Sequence, residues 1–236
     1  MTDAIVPSLK GGGIVATKDL QGYEGVDLGD MNVRPPSIRI VQAMRPDAIR
    51  GRRDLAEGDL YDTLSYEQLS NPIPVIPFAA WNDYTEWKKG PNGKALSGSE
   101  AEVIYQTTNG ADPKILGRTR GSKHGGVWTP PEVVKTLRML AIRPGVSVPC
   151  IVSFAKTSLS CGEQIIMAAM SKGKNLYDQA ILLGTKGVPH PETGGMFYVF
   201  TSRPHPEEVP ESEKAVAKDW IERYRGLRTE VQGEAE

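Results

Sequence analysis

The chain has 236 residues, 39% of them hydrophobic and 24% charged, with a formal net charge of −1. That is enough apolar mass for one substantial core, and the near-neutral total excludes a protein that coats nucleic acid through bulk positive charge. Two cysteines, Cys150 and Cys161, exclude a four-cysteine zinc ribbon and give no disulfide framework, and no apolar run approaches the roughly 20 residues of a spanning helix.

Residues 1–30, with Gly11-Gly12-Gly13 and no sustained periodicity, read as a largely disordered arm. Ser37 to Met44 alternates as a strand, with Ile38 and Ile40 on one face and Arg39 opposite. Asp47 to Asp59 reads as a basic loop, and Tyr61 to Leu64 as a short strand. Ile73 to Trp87 is apolar and aromatic. Pro72, Pro74 and Pro77 make its first half an edge or a bulged segment, leaving Phe78 to Trp87 as the cleaner strand. A loop over 88–100, a strand over Ala101 to Thr107 and a Gly-rich basic loop over 108–128 follow. Pro130-Pro131 before Glu132 to Ile142 predicts a short helix with prolines in its first turn.

Val148 to Phe154 is expected to be a buried strand. Ser158 to Met170 is expected to be a helix with Ile165, Ile166, Ala169 and Met170 on its apolar side. Gln179 to Thr185 and Met196 to Thr201 read as strands. From Val209 the chain reads as a helix with Val216, Trp220, Tyr224 and Leu227 on one stripe. The expected fold is mainly β with added helices: an antiparallel barrel of the oligonucleotide/oligosaccharide-binding type, with long loops and a C-terminal helix. The domain would occupy residues 31–228, with an acidic tail over 229–236 carrying Glu230, Glu234 and Glu236.

Motifs for catalysis are weak. His124, His190 and His205 are scattered, and Ser158 and Ser160 near Cys161 lack the glycines of a nucleophile elbow. Gly121 to Gly126 has a phosphate-cradling composition without the P-loop spacing. Asp59 and Asp62 are the carboxylates a metal-dependent nuclease would use, although surface turns place acids this way constantly. The expectation is therefore no enzyme, no cofactor and no resident metal.

The basic and aromatic residues point elsewhere. Six arginines fall in the twenty residues 34–53, which hold one acid, Asp47. The candidate nucleic-acid contacts are Arg39, Arg45, Arg50, Arg52, Arg53, Lys88, Arg118, Arg120 and Lys123 for phosphates, and Trp81, Trp87 and Trp128 for bases. Guanidinium groups pair bidentately with phosphates and indoles stack on unpaired bases, so this mixture suits a single strand. In a regular strand Trp81 and Trp87 share a face and Tyr84 lies opposite. Core packing of the tryptophans and solvation of the basic turns are the plain alternatives.

Pro36-Ser-Ile-Arg-Ile-Val-Gln-Ala-Met44, Gly58-Asp-Leu-Tyr-Asp-Thr-Leu64, Ile73-Pro-Val-Ile-Pro-Phe78 with Trp87, Val152-Ser-Phe-Ala-Lys-Thr-Ser158 and Gly195-Met-Phe-Tyr-Val199 together resemble bacteriophage single-stranded-DNA-binding proteins. The resemblance spans roughly residues 34–205. It implies an OB-type barrel whose basic groove holds unpaired DNA in phage replication or recombination, in the host cytoplasm. It also implies replication proteins as partners of the acidic tail. Homo-oligomerisation is compatible with it, and no membrane partner is expected. The rival expectations are a phage structural or protein-interaction protein and a metal-dependent nuclease.

Overall fold

A computed structural model describes residues 35–43, 52–90, 102–124, 127–189 and 194–233, with side chains described outside 123–128 and 224–233. The arm expected over 1–30, together with Arg45, Arg50 and His190, lies outside the described residues. In chain order the strands are β1 (Ser37–Ile40), β2 (Leu60–Asp62), β3 (Gln68–Leu69), β4 (Ile73–Trp87), β5 (Val103–Thr107), β6 (Ser122–His124), β7 (Val127–Thr129), β8 (Val133–Arg143) and β9 (Val146–Ala155). Helix α1 (Leu159–Ser171), β10 (Ile181–Pro189), β11 (Met196–Pro204) and helix α2 (Glu211–Gly233) complete the fold.

The architecture is mainly β, a strongly curled half-barrel sheet with a C-terminal helix, as the sequence predicts. The sheet runs β11, β10, β4, β8, β9, β1, β2, β3, with β5 also on β4, and β6 and β7 form a separate hairpin. All pairings are antiparallel except β1 on β9, which is parallel.

Segment 132–142 corrects the sequence reading. It is strand β8, not a helix. Val133, Val134 and Thr136 are β-branched and stiff at χ1, and the later residues are apolar on both faces of the strand, so the sequence shows no two-residue alternation. Leu137, Met139 and Ala141 enter one cluster, while Leu140 and Ile142 enter another. Loop 108–128 is also partly regular: its end folds as the β6–β7 hairpin, and Ile115 anchors its middle in the interior.

β4 accommodates its prolines as the sequence predicts. Residues 73–75 pair with β10, residues 76–86 with β8, and a bulge lies between Pro77 and Ala79. The extra residue reverses side-chain parity. Ile73, Val75 and Ala80 consequently face the barrel interior, whereas Ile76, Phe78, Ala79 and Trp81 face outward.

The interior cluster joins Val152, Phe154, Leu183 and Phe200 with Cys161 and Ile165 of α1, which packs against β8, β9 and β11. Phe154 and Phe200 meet edge to face at 5.4 Å. Gly162, on the buried face of α1, leaves no room for a side chain: a Cβ there would meet Leu137 and Phe154 at 2.7–2.8 Å. Met170, expected on the apolar side, is instead 67% exposed. On the outer face, α2 presses Val216, Ala217, Trp220 and Ile221 onto β4 and β8, and Trp220 Nε1 donates to the Ser147 carbonyl at 2.8 Å. α2 continues past residue 228 into the segment expected to be a tail. No described helix is long and apolar enough to cross a membrane.

A side chain bridges the gap in the curl. The Gln42 amide donates to the Tyr198 carbonyl at 2.7 Å and accepts from its N–H at 3.0 Å, taking the place of a neighbouring strand on β11. Gly58 sits alongside at φ +90°, where a Cβ would strike the Tyr198 ring at 2.6 Å, and its carbonyl accepts from the Thr185 hydroxyl at 2.7 Å.

Candidate nucleic-acid interface

Strand register puts several functional side chains in one row. Ala80, Met139, Val152 and Ile38 are interior neighbours across β4, β8, β9 and β1. Side chains alternate along a strand, so the next residues face out together: Trp81, Arg138, Ser153 and Arg39. Arg39 in turn pairs with Tyr61 on β2. The outer face therefore carries two guanidinium groups between two aromatic rings, just beyond the area covered by α2.

The Arg138 guanidinium is held in place. Arg138 Nη2 lies 2.6 Å from Oδ2 of Asp83, a carboxylate only 1% exposed that also accepts from Gln106 Nε2 at 2.9 and 2.8 Å. Arg39 lies opposite Tyr61 in the β1–β2 ladder; burial pushes the Tyr61 phenol up, against the opposing pull of the Arg39 charge. Tyr61 itself is packed with Val41 and Leu55. Its ring supports Arg39 and is not an exposed stacking platform.

A second group lies at the far end of β4. Trp87 is about 20 Å from Trp81, at roughly 3.3 Å per residue, on the face the two tryptophans share by parity. Next to it in sequence Lys88 pairs with Glu102 at 2.5 Å, and on the strand's other face by the same parity Arg118 is clamped between Glu86 and Glu132, the latter at 2.7 Å. The two carboxylates hold Arg118 above its ordinary value, Glu132 contributing most. Arg120 is exposed nearby in sequence, and Lys123 and Trp128 are cross-strand partners in the β6–β7 ladder, their side chains outside the described residues.

Of the remaining candidates, Arg52 forms a two-pronged pair with Asp54 at 2.5–2.8 Å, which pushes Asp54 down to about 2, and Arg53 is exposed beside it. The row thus gathers Trp81 and Arg39, the end of β4 gathers Trp87, Lys88 and Arg118, and Arg52 and Arg53 stand apart in the β1–β2 connection. Sequence reasoning missed Arg138, Asp83 and Tyr61. The β-branched Val133, Val134 and Thr136 are the sequence signal that could have put Arg138 on a strand.

The two carboxylates considered for a metal have separate structural roles. Asp59 Oδ2 accepts from Ala56 N–H at 2.7 Å. Asp62 is buried, accepts from Leu64 N–H at 2.8 Å and pairs with Arg143 at 3.1 Å. Among the described residues no three His, Cys, Asp or Glu side chains gather as metal ligands. His205 is buried, its Nδ1 accepting from Glu207 N–H at 3.1 Å.

A family model described as Pam3 phage gp34-like protein matches residues 13–214. This chain belongs to that family and is a phage protein. The resemblance drawn from the sequence holds at that level. No curated protein and no solved structure matches it.

Proposed function

We propose that this phage protein binds single-stranded DNA without sequence preference, in phage replication or recombination, and does so on the outer face of its half-barrel. The observation that carries the reading is the row Trp81, Arg138, Ser153, Arg39 and Tyr61: the Arg39 guanidinium for phosphate, Arg138 held beside it by Asp83, and an indole at one end for a base. The ion pairs of Lys88, Arg118, Arg52 and Arg138 assign those residues a smaller share than Arg39, because a phosphate must displace or share a carboxylate to reach them. The test is a tryptophan-fluorescence titration with oligo-dT and with duplex DNA at low and high salt. Quenching by the single strand that fades with salt is expected, and an unchanged signal with no gel shift at low salt refutes the proposal.

A second reading, a protein-interaction role in the phage particle, draws on β5. Among the described residues this strand pairs with β4 alone, and it shows Val103 at 43% and Ile104 at 59% exposure. Unpaired strand edges with apolar side chains are templates for a partner. Salt-insensitive capture of a phage protein, lost on Ile104→Lys, would favour this reading.

A further inference from the structure

Where α2 crosses the sheet it leaves an open cleft of about 540 Å³ floored by Phe78 and Trp81 and walled by Tyr177, Ile221 and Lys218, with Asn175 at one end. That volume lies within the roughly 300–1,000 Å³ of ligand sites. We infer that this cleft receives one unpaired base of the bound strand, against Trp81 and Tyr177, while its phosphates lie outside along Arg138 and Arg39. The inference rests on the single-strand reading and adds a place and a mode of holding to it.

Three features select a base. Trp81 belongs both to the cleft and to the guanidinium row, as the register partner of Arg138, so a nucleotide whose base enters the cleft has its phosphate beside a cation. Among the described residues the charges lining the cleft are Lys218 and Glu222, which balance; a neutral flat heterocycle suits this lining better than an anion does. Lys218 Nζ stands 5.6 Å over the Tyr177 ring, fixing that wall. The Asn175 amide donates one N–H to Asp178 Oδ2 at 3.1 Å and caps the turn over Leu176–Asp178, while the aromatic faces of Trp81 and Tyr177 hold a base by its flat surface.

The test uses the full-length protein and oligo-dT carrying one 5-iododeoxyuridine. After irradiation, the cross-linked peptide is expected to contain Trp81 or Tyr177. In parallel, Tyr177→Ala is expected to weaken oligo-dT binding by roughly 5- to 100-fold, with Tyr177→Phe staying within about twofold. Circular dichroism checks that both variants fold, and the cross-link needs no variant. Normal strand binding with cross-links only at Trp87 or Trp128, and Tyr177→Ala unchanged, overturns the cleft while leaving the single-strand reading intact. Absence of strand binding by the wild-type protein at low salt overturns both.

Discussion

Arg138→Met removes the cation that faces a carboxylate sealed from water. Asp83 is 1% exposed and would keep only the two Gln106 contacts, so the variant falls in the class of broken buried pairs that cost about 3–5 kcal/mol. The reverse change, Asp83→Ala, strands a guanidinium whose side chain is 31% exposed and can turn into solvent, and should cost only about 1–3 kcal/mol. For a chain of this size each kcal/mol moves Tm by roughly 2–4 °C, so Arg138→Met should melt about 6–20 °C lower than wild type. The double variant Asp83→Leu/Arg138→Met should recover part of that loss, because it leaves no orphaned charge. Urea unfolding followed by far-UV circular dichroism gives all the values on one scale. If Asp83→Ala is the more damaging single change, or Arg138→Met lies within about 1 kcal/mol of wild type, the burial argument is wrong.

Gly162→Ala should destabilise by about 1–3 kcal/mol in thermal melts, because its methyl would press into Leu137 and Phe154 at 2.7–2.8 Å, outweighing the gain in helix propensity. Gln42→Ala should cost about 1–3 kcal/mol and raise amide exchange at Tyr198, whose N–H and carbonyl lose their partner. Both cysteines are buried, burial pushing Cys150 up to about 12 and Cys161 upward, so neither should react with a thiol reagent at about pH 8 until denaturant is added. The unfolded Cys150 thiol ionises near ~8.5, so the folded state binds the extra proton above that pH. Stability should accordingly fall as pH rises from ~8.5 toward 12, with a shallower slope in Cys150→Ala.

The elements legible in the sequence were those with one clean periodicity. β9, β10, β11, α1 and the start of α2 each show a single apolar pattern, and the prolines of β4 announced its bulge. β8 was not legible, because it buries both faces: Leu140 and Ile142 meet α2 while Leu137, Met139 and Ala141 meet the interior, and the combined run mimics a helix. For the site, residue type identified Arg39 and Trp81 but gave no register, and register alone links them through Arg138. The pairing of Arg118 with Glu86 joins residues 32 positions apart, a neutralisation that local charge counting cannot detect.

The most direct measurement is the salt dependence of oligo-dT affinity for wild type and for Arg39→Gln, by fluorescence anisotropy from about 50 to 200 mM salt. Phosphate contact by Arg39 predicts a log–log slope about 0.7 shallower in the variant, with binding weaker for every sequence tested. Identical slopes, or no wild-type binding at the lowest salt, would contradict the outer face as the strand's path.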